Sequence, residues 1–472
     1  MMRRYLALWL IIAGFTVSAL AAEKEAPLPK ELPAYGPLQT IPAPKVVVQK
    51  LANGLTLWLV PRPGFPKVAF AVAVRGGMAV DPKDRPGLSE LLVATIDQGT
   101  KTRNAKQIAE ELQAAGGDLS GSADADAIVL GADFLSSKAE AALAVIADLL
   151  QNATFTDKEV DLAKRNATDA LASREADPSF LARRALARVI FGDHPYSVIA
   201  PTKESIANST PGELRREYVR RFRPDQTLLV AVGDFQEPAM MAAIQNTLGK
   251  WAAPSEPPAP AVVPPTQANR QAVFVVERPG SVQTTFAFAA FGPTGHDPDY
   301  AATQVANAIY GGAFGSRLVK NIREDKGYTY SPGGSLQARR AIGILQTHAD
   351  VSNDVTGASF NEICYELNRM ATTAPTEEEV IRAQRYLTGV RALSLQSEAS
   401  VGSQLASLWV RDLASDELAR QIDNILKAKA ADVEAAGRKY FSAAREAVVT
   451  VGEEKVIQRQ LEPFGVPVKS AP

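Results

Sequence analysis

The chain has 472 residues, of which 46% are hydrophobic and 22% charged, and this composition excludes a disordered or collagen-like protein. Its 51 Lys and Arg balance 52 Asp and Glu, and no basic run carries interleaved aromatic residues, so nucleic acid is an unfavourable partner. A chain of this length predicts about two to four hydrophobic cores.

The N-terminus has the pattern of a secretory signal peptide over residues 1–22. Arg3 and Arg4 precede an apolar run, and Ala19-Leu20-Ala21 supplies a small-residue cleavage site. A membrane anchor is the weaker alternative, because the apolar run is shorter than the ~20 residues that span a bilayer. We therefore expect export to a bacterial periplasm as a soluble protein, with an N-terminal arm over residues 23–45.

The first half is predicted to consist of strands followed by helices. Val and Leu runs flank Asn53-Gly54, which indicates a hairpin within residues 45–61. The elements predicted after it are a strand at Val68–Arg75, helices at Gly87–Gln98 and Ala105–Ala115, a strand at Ala127–Phe134, a helix at Ala139–Leu149 and a capped helix from Thr156.

A Pro-rich stretch at residues 251–269 divides the chain and is typical of a stiff, extended linker. It separates an N-terminal module, residues 46–250, from a C-terminal module, residues 270–465, with a tail at residues 466–472. The elements predicted in the second module are strands at Ala272–Glu277, Thr285–Phe291 and Gly343–Ala349, and helices at Tyr300–Tyr310 and Arg317–Lys326.

The two halves repeat each other. The pattern Thr156-x-x-Glu159-Val160 recurs as Thr376-x-x-Glu379-Val380, an offset of 376 − 156 = 220, and both copies predict a helix N-terminus with a capping box. A second match, Val230-x-Val232-Gly233-Asp234 with Val449-x-Val451-Gly452-Glu453, has an offset of 449 − 230 = 219. We therefore predict an α+β protein built from two homologous α/β-sandwich modules.

Several sequence runs are distinctive. The first half contains NGLTLWLVPRPGFPKVAFAVAVRGG, GLSELLVATIDQGT, DHPYSVIAPTKESI and YVRRFRPDQTLLVAVGDF, and the second contains YGGAFGSRLVKNIREDKGYTYS. In order and spacing these runs resemble the M16 metallopeptidases, the pitrilysin and mitochondrial processing peptidase family. The resemblance extends from Val46 to about Glu454. It implies an M16 peptidase-like fold in which the two modules form half of a chamber that encloses a peptide.

The zinc motif of the family is missing. Active members carry His-x-x-Glu-His on the first long helix, and the resemblance places Glu90, Val93 and Ala94 at those positions. The third ligand falls near Asp169 or Ala170. The three histidines, His194, His296 and His348, have no second His or Cys at ligand spacing, and Cys364 lies on the apolar side of a helical pattern. We predict no metal site in this chain.

Arg323 and Tyr330 match the Arg/Tyr pair that, in the family, holds substrate and supports the carbonyl oxygen during attack. The resemblance therefore implies a catalytic role in trans for both residues. Gly327 is predicted to end the helix of Arg323, and Tyr330 to begin the next strand. The alternative is a solvated helix arginine and an ordinary strand tyrosine.

The loop containing Gly311, Gly312, Gly315 and Ser316 resembles the family's peptide-contacting loop, which implies that these residues bind substrate. Glycines permit close backbone approach, and Ser316 can cap the helix from Arg317. A tight turn between two helices is the alternative.

The resemblance implies the zinc-free subunit of a heteromeric periplasmic zinc peptidase. A partner subunit with His-x-x-Glu-His would hold the zinc, this chain would hold no cofactor, and an unfolded peptide would be the substrate. This chain is expected to be inactive alone. The alternatives are a peptide-binding module without catalysis and a structural or assembly protein like the family's scaffold subunits in respiratory complexes.

Overall fold

A computed structural model describes residues 44–266 and 272–472, together with Gly36 and Pro42. The predicted signal peptide, residues 1–22, and most of the predicted arm lie outside the described residues. From Pro42 onwards the described residues form one compact unit. No helix among them combines the length and apolar character needed to cross a membrane.

Two six-stranded sheets and the helices around them make up this unit. The strands are β1 (Val47–Lys50), β2 (Thr56–Pro61), β3 (Lys67–Arg75), β4 (Leu119–Ala123), β5 (Ala127–Leu135), β6 (Thr227–Gly233), β7 (Val273–Glu277), β8 (Gln283–Gly292), β9 (Gly333–Ala338), β10 (Gly343–Ser352), β11 (Ala447–Gly452) and β12 (Val468–Ser470). The helices of the N-terminal module are α1 (Leu88–Thr95), α2 (Ala105–Ala114), α3 (Ala139–Asn152), α4 (Asp157–Glu175), α5 (Pro178–Phe191), α6 (Lys203–Asn208), α7 (Pro211–Arg221) and α8 (Glu237–Leu248). Those of the C-terminal module are α9 (Tyr300–Asn307), α10 (Arg317–Val319), α11 (Thr356–Thr372), α12 (Glu377–Ser394), α13 (Glu398–Val410), α14 (Glu417–Lys427), α15 (Ala430–Tyr440) and α16 (Glu454–Leu461).

The sheets have matching topologies, which confirms the predicted α+β fold of two homologous modules. Their strand orders are β1-β2-β6-β3-β5-β4 and β12-β7-β11-β8-β10-β9. The inner strands pair alike in the two sheets: β2 with β6, or β7 with β11, is parallel, and the three pairings that follow are antiparallel. At the other edge β1 pairs with β2 in antiparallel, whereas β12 pairs with β7 in parallel. The outermost position differs, because β1 comes from the start of the chain and β12 from its end.

The tail predicted over residues 466–472 contains a short strand. Its Val468–Ser470 segment, β12, pairs in parallel with β7 and completes the second sheet. A strand of three residues is too short to show the alternation of apolar and polar residues that predicts a longer strand.

The predicted capping boxes form differently in the two modules. At α12 the Thr376 side chain accepts from the Glu379 amide, and the Glu379 carboxylate accepts from the Thr376 amide. At α4 Thr156 accepts from the Glu159 amide, but the Glu159 carboxylate pairs with Lys158 at 3.2 Å. The capping box of α12 is therefore complete, and that of α4 is half formed.

Each module packs one of its helices on the sheet of the other module. Helix α5 lies against β11, β8 and β7 of the second sheet, and α13 lies against β3, β6 and β5 of the first. The first residues of the two helices, Pro178 and Glu398, are separated by 398 − 178 = 220 positions, so the exchange follows the sequence repeat.

The exchanged helices create two of the hydrophobic cores. Leu186, Val189 and Ile190 of α5 are buried with the second sheet, and Leu405 and Leu408 of α13 with the first. A fully buried Leu or Val contributes about 1.5–3 kcal/mol. Because these cores combine side chains from both halves of the chain, the two modules stabilise each other.

Candidate functional site

Arg323 lies between two aromatic rings at the surface of the C-terminal module. Its guanidinium carbon is 4.7 Å from the centre of the Phe314 ring and 4.6 Å from that of the Tyr330 ring. Phe314 is 63% exposed and Tyr330 80% exposed. Among the described residues no carboxylate forms a salt bridge with Arg323. The stack therefore orients a cation whose hydrogen-bond donors remain available to a ligand.

The backbone around Arg323 departs from a regular α-helix. After α10 the chain forms π-helical turns over Lys320–Asp325. Gly327, with φ of 66°, ends them in the predicted left-handed conformation, and its N–H donates to the Arg323 carbonyl at 3.2 Å. The Thr329 hydroxyl then donates to the Asp350 carbonyl at 2.6 Å, which holds the next segment against β10.

Tyr330 does not begin the following strand as predicted. Strand β9 begins at Gly333, and Tyr330 lies in the preceding loop. Pro332 separates the two, and a proline has no N–H to donate to a strand partner. This leaves the Tyr330 ring free to fold over Arg323.

The loop that carries Phe314 is fixed at its C-terminal end. The Ser316 hydroxyl caps α10 by accepting from the Val319 amide, as predicted. Arg317 donates two hydrogen bonds to Glu379, at 2.7 and 2.8 Å, and the pair is largely buried. The hydrogen bonds from Arg317 lower the pKa of Glu379 to about 2, so this carboxylate stays charged at any physiological pH.

The glycines predicted to bind substrate have different surroundings. A side chain on buried Gly311 would come within 2.8 Å of the Gly334 amide nitrogen, and one on Gly312 within 2.7 Å of the Asn307 side chain. Gly315 has open space around it. The close approach at Gly311 is thus to β9 of the same chain, and substrate binding by these glycines and Ser316 stays a prediction.

Glu90, at the position where the resemblance places the first residue of the family's zinc motif, forms an ion pair. Both carboxylate oxygens of Glu90, on α1, accept hydrogen bonds from Arg174, on α4, at 3.1 and 2.9 Å. Val93 and Ala94 offer no ligand atoms, and the Val93 side chain packs beside Gly121 of β4. These residues do not fit a zinc ion, because the one carboxylate is already neutralised by a fixed cation that would repel the metal.

Asp169 and Ala170, near which the resemblance places the family's third zinc ligand, lie on the outer side of α4. Asp169 and Ala170 are exposed, whereas Leu171 is fully buried. At 3.6 residues per turn, Leu171 and Arg174 share one face of α4, and Asp169 points to another. Arg174, rather than a carboxylate, is therefore the residue brought to Glu90.

Helix α1 is held firmly in this position. Gly87 precedes it with φ of 79°, and a side chain there would come within 2.4 Å of Pro201. The Ser89 hydroxyl donates to Asp81 at 2.6 Å, and buried Arg221 donates to the same carboxylate at 2.7 Å. The loss of zinc ligands has therefore not loosened the helix that would carry them.

The remaining candidate ligands have structural contacts. His194 caps a short turn by accepting from the Tyr196 amide, and its Nε2 is 2.9 Å from the Val263 carbonyl oxygen. His296 Nε2 is 2.9 Å from the Arg411 carbonyl oxygen. Burial raises the pKa of the Cys364 thiol to about 12, which keeps it protonated. The described part of the chain contains no cluster of three or more His, Cys, Asp or Glu placed to hold a metal.

Sequence reasoning missed two of the residues described above. Phe314 was available as an aromatic residue in a glycine-rich loop, a position where a large apolar side chain has no core to enter. Arg174 was available as the next residue on the buried face of α4, three positions after Leu171. Neither sequence pattern indicates which residue the side chain contacts in the folded chain, Arg323 for Phe314 and Glu90 for Arg174.

Duplicated α+β modules, with an ion pair between α1 and α4, define the class of fold to which the described residues belong. Family models match most of the chain. Residues 59–200 match "Insulinase (Peptidase family M16)", and residues 208–387 match "Peptidase M16 inactive domain". The chain belongs to the M16 peptidase family and is a homologue of its inactive type.

Relatives and solved structures agree with this assignment. An uncharacterized zinc protease of Rickettsia bellii is 24% identical over 85% of this chain and 97% of its own length. A protein of Helicobacter pylori named non-peptidase homolog YmxG is 25% identical over 71% of this chain and 77% of its own length. The crystal structure of a peptidase M16 inactive domain from Pseudomonas fluorescens superposes with a TM-score of 0.81 at 23% identity, covering 91% of this chain and all of that one.

Proposed function

We propose that this chain is the non-zinc-binding subunit of a heteromeric periplasmic M16 peptidase. It binds an unfolded peptide and supports hydrolysis at a zinc held by a partner subunit with His-x-x-Glu-His. The observation that carries the proposal is the Arg323 guanidinium, held between Phe314 and Tyr330 with its donors unpaired by any described carboxylate. A bidentate ion pair would occupy two of the five N–H donors of the guanidinium and neutralise its charge.

The chemistry follows from charge and exposure. A peptide carbonyl gains negative charge on its oxygen when water attacks it, and a fixed donor stabilises that charge most when it needs no reorganisation. The two rings fix the guanidinium of Arg323, and the Tyr330 hydroxyl is a second donor nearby. Both residues stand on the surface of this chain, where a partner's site can reach them.

The decisive experiment is a peptide cleavage assay on this chain co-expressed with an exported M16 chain of the same organism that carries His-x-x-Glu-His. We expect Arg323→Ala to lower turnover about 10²–10³-fold, the size of losing one oxyanion donor. Tyr330→Phe keeps the ring against Arg323 and removes only the hydroxyl, so its effect isolates that donor. Zinc content of the partner is expected to stay unchanged.

Arg438→Ala provides the matched control, because Arg438 is an exposed helix arginine of the same module. Equal turnover in the Arg323→Ala and Arg438→Ala complexes would refute the role in trans. Cleavage by the purified single chain would refute the division of labour.

The second candidate is a homologue that binds peptide, or assembles a complex, without catalysis. The Glu90–Arg174 ion pair favours it, since it fills the metal position with a stable contact, and the name of the Helicobacter relative points the same way. Peptide binding by a complex that shows no cleavage would select this candidate.

A further inference from the structure

We propose that a groove beside α5 binds an acidic segment of an extended peptide. This inference rests on the proposed function and names the class of substrate that the chain selects. The groove lies between α5 of the N-terminal module and strands β9 and β10 of the C-terminal module. It is separate from the Arg323 stack, none of whose residues lines it.

The groove combines an apolar floor with polar walls. Phe180, Leu186 and Ile190 of α5 and Ile344 of β10 form the floor, within a volume of about 640 Å³. The side chains of Gln337 on β9 and Gln346 on β10 lie along the wall. Amide side chains both donate and accept hydrogen bonds, which suits the alternating N–H and C=O groups of a peptide backbone.

Arginines supply the only charges that line the groove among the described residues. Arg174, Arg183 and Arg339 come from α4, α5 and the segment after β9, and no Asp or Glu accompanies them. Arg174 is shared with Glu90, whereas no described carboxylate lies within salt-bridge distance of Arg183 or Arg339. The groove therefore presents a net positive field to its ligand.

Arg339 is the cation that gains most from an anionic ligand. It is stacked over the rings of Phe191 and Tyr196, at 5.4 and 4.9 Å, and its Nη1 donates to the Tyr196 carbonyl at 3.4 Å. Burial lowers the pKa of Arg339, because the charge has lost much of its hydration, although Asp126 and Asp124 attract it from farther away. A ligand carboxylate would replace part of that lost hydration.

The arrangement favours a peptide over a fatty acid. Arg183 and Arg339, which come from two separate elements and form no salt bridge with a described carboxylate, match carboxylates spaced along a chain, whereas a fatty acid has one carboxylate. The amide side chains of Gln337 and Gln346 would also face an acyl chain that cannot hydrogen-bond with them. An acidic, partly apolar peptide can contact the apolar side chains, hydrogen-bond with the glutamines and pair with the arginines at the same time.

The test measures binding to the full isolated chain by fluorescence anisotropy. Two rhodamine-labelled peptides share their length and apolar residues, and one carries Glu where the other carries Gln. We expect the Glu peptide to bind about tenfold more tightly in low salt and to lose this advantage as salt is raised. Arg183→Glu is expected to lower its affinity about tenfold, because Arg183 is exposed and its replacement leaves the core intact.

Arg188→Glu is the matched control. Arg188 lies on the same helix, is also exposed and does not line the groove, so its reversal changes the net charge equally. Equal affinity for the two peptides, or equal losses from the two reversals, would overturn the proposal. Tight binding of dodecanoate with no binding of either peptide would also overturn it.

This measurement is independent of the proposed catalytic role. The isolated chain needs no partner to bind the peptide, so failure of the groove leaves the Arg323 cleavage assay to be judged separately. Conversely, selective binding of the Glu peptide by a chain that supports no cleavage would retain the groove and reject the catalytic role.

Discussion

The two modules share a fold and differ at their functional positions. In the N-terminal module Glu90 and Arg174 neutralise each other where the resemblance places the family's zinc motif. In the C-terminal module Arg323 stands between two exposed rings without a described carboxylate partner. The same duplicated architecture therefore carries one closed position, where Glu90 and Arg174 are paired with each other, and one open position, where the donors of Arg323 remain available to a ligand. The difference teaches that the scaffold is maintained independently of metal binding, because α1 remains anchored by Asp81 and Arg221.

The largest effect on stability is expected from weakening α5 and α13, the exchanged helices that hold the two modules together. Leu186→Ala and Leu405→Ala each remove a buried side chain that packs on the other module's sheet. We expect each to lower the free energy of unfolding by about 2–5 kcal/mol, through lost burial and a residual cavity. Urea denaturation followed by circular dichroism measures both.

Leu393→Ala is the control, since Leu393 is 66% exposed, and its effect is expected to stay within about 0.5 kcal/mol. Two separate unfolding transitions in the wild-type chain, each affected by one of the two variants, would contradict mutual stabilisation of the modules.

A second prediction concerns the position where a central strand of each sheet begins. Thr227 is the first residue of β6, and Glu446 directly precedes β11. In the N-terminal module Thr227 is buried with its hydroxyl donating to the Arg223 carbonyl at 2.7 Å. The equivalent Glu446, at an offset of 446 − 227 = 219, is buried with one oxygen lacking a described partner. Burial raises the pKa of Glu446 from 4.5 to about 8, and Arg445 only partly offsets this effect.

The sign of the pH effect follows from this raised pKa. Between pH 4.5 and about 8 the folded chain retains the Glu446 proton and the unfolded chain releases it, so stability falls as pH rises through this range and levels off above it. Glu446→Gln keeps the shape without an ionisable proton. We expect it to stabilise the chain by on the order of 3 kcal/mol at pH 7 and to have little effect at pH 4.

Thermal unfolding at several pH values measures the effect, with exposed Glu462→Gln as the control. A stability gain from Glu446→Gln that does not change with pH would contradict a buried, protonated carboxyl. The groups near Glu446, Tyr310 and Cys364, both have raised pKa values themselves and stay neutral over this range.

The smallest expected effect tests the closed position itself. A double-mutant cycle with Glu90→Gln and Arg174→Gln is expected to give a coupling energy of about 1 kcal/mol, because the pair is bidentate but partly exposed. The cycle for Lys106 and Glu110, an exposed pair at 3.6 Å, is the reference and should give less than about 0.5 kcal/mol. Equal coupling in the two cycles would show that the ion pair does not lock the zinc position.

Local chemistry made much of this structure predictable. Asn53-Gly54 predicted the turn between β1 and β2, Thr376 predicted the start of α12, and the offset of 220 predicted the duplication. The resemblance brought Arg323 and Tyr330 to one site, and the structure places their side chains in contact.

The features that escaped prediction depend on distant parts of the chain. The apolar faces of α5 and α13 are visible as helical periodicity, but periodicity does not say which sheet covers them. Likewise, Arg174 meets Glu90 across 174 − 90 = 84 residues. No window of neighbouring residues contains that information.

The exchange of α5 and α13 has a consequence for the covalent chain. A single proteolytic cut within residues 251–266 would leave two fragments that each hold a helix belonging to the other's interior. Such fragments would remain associated after cleavage, and separately expressed fragments would have to be co-expressed to form the native structure. Once the chain has folded, the native structure thus needs both halves of the polypeptide but not an intact peptide bond between them.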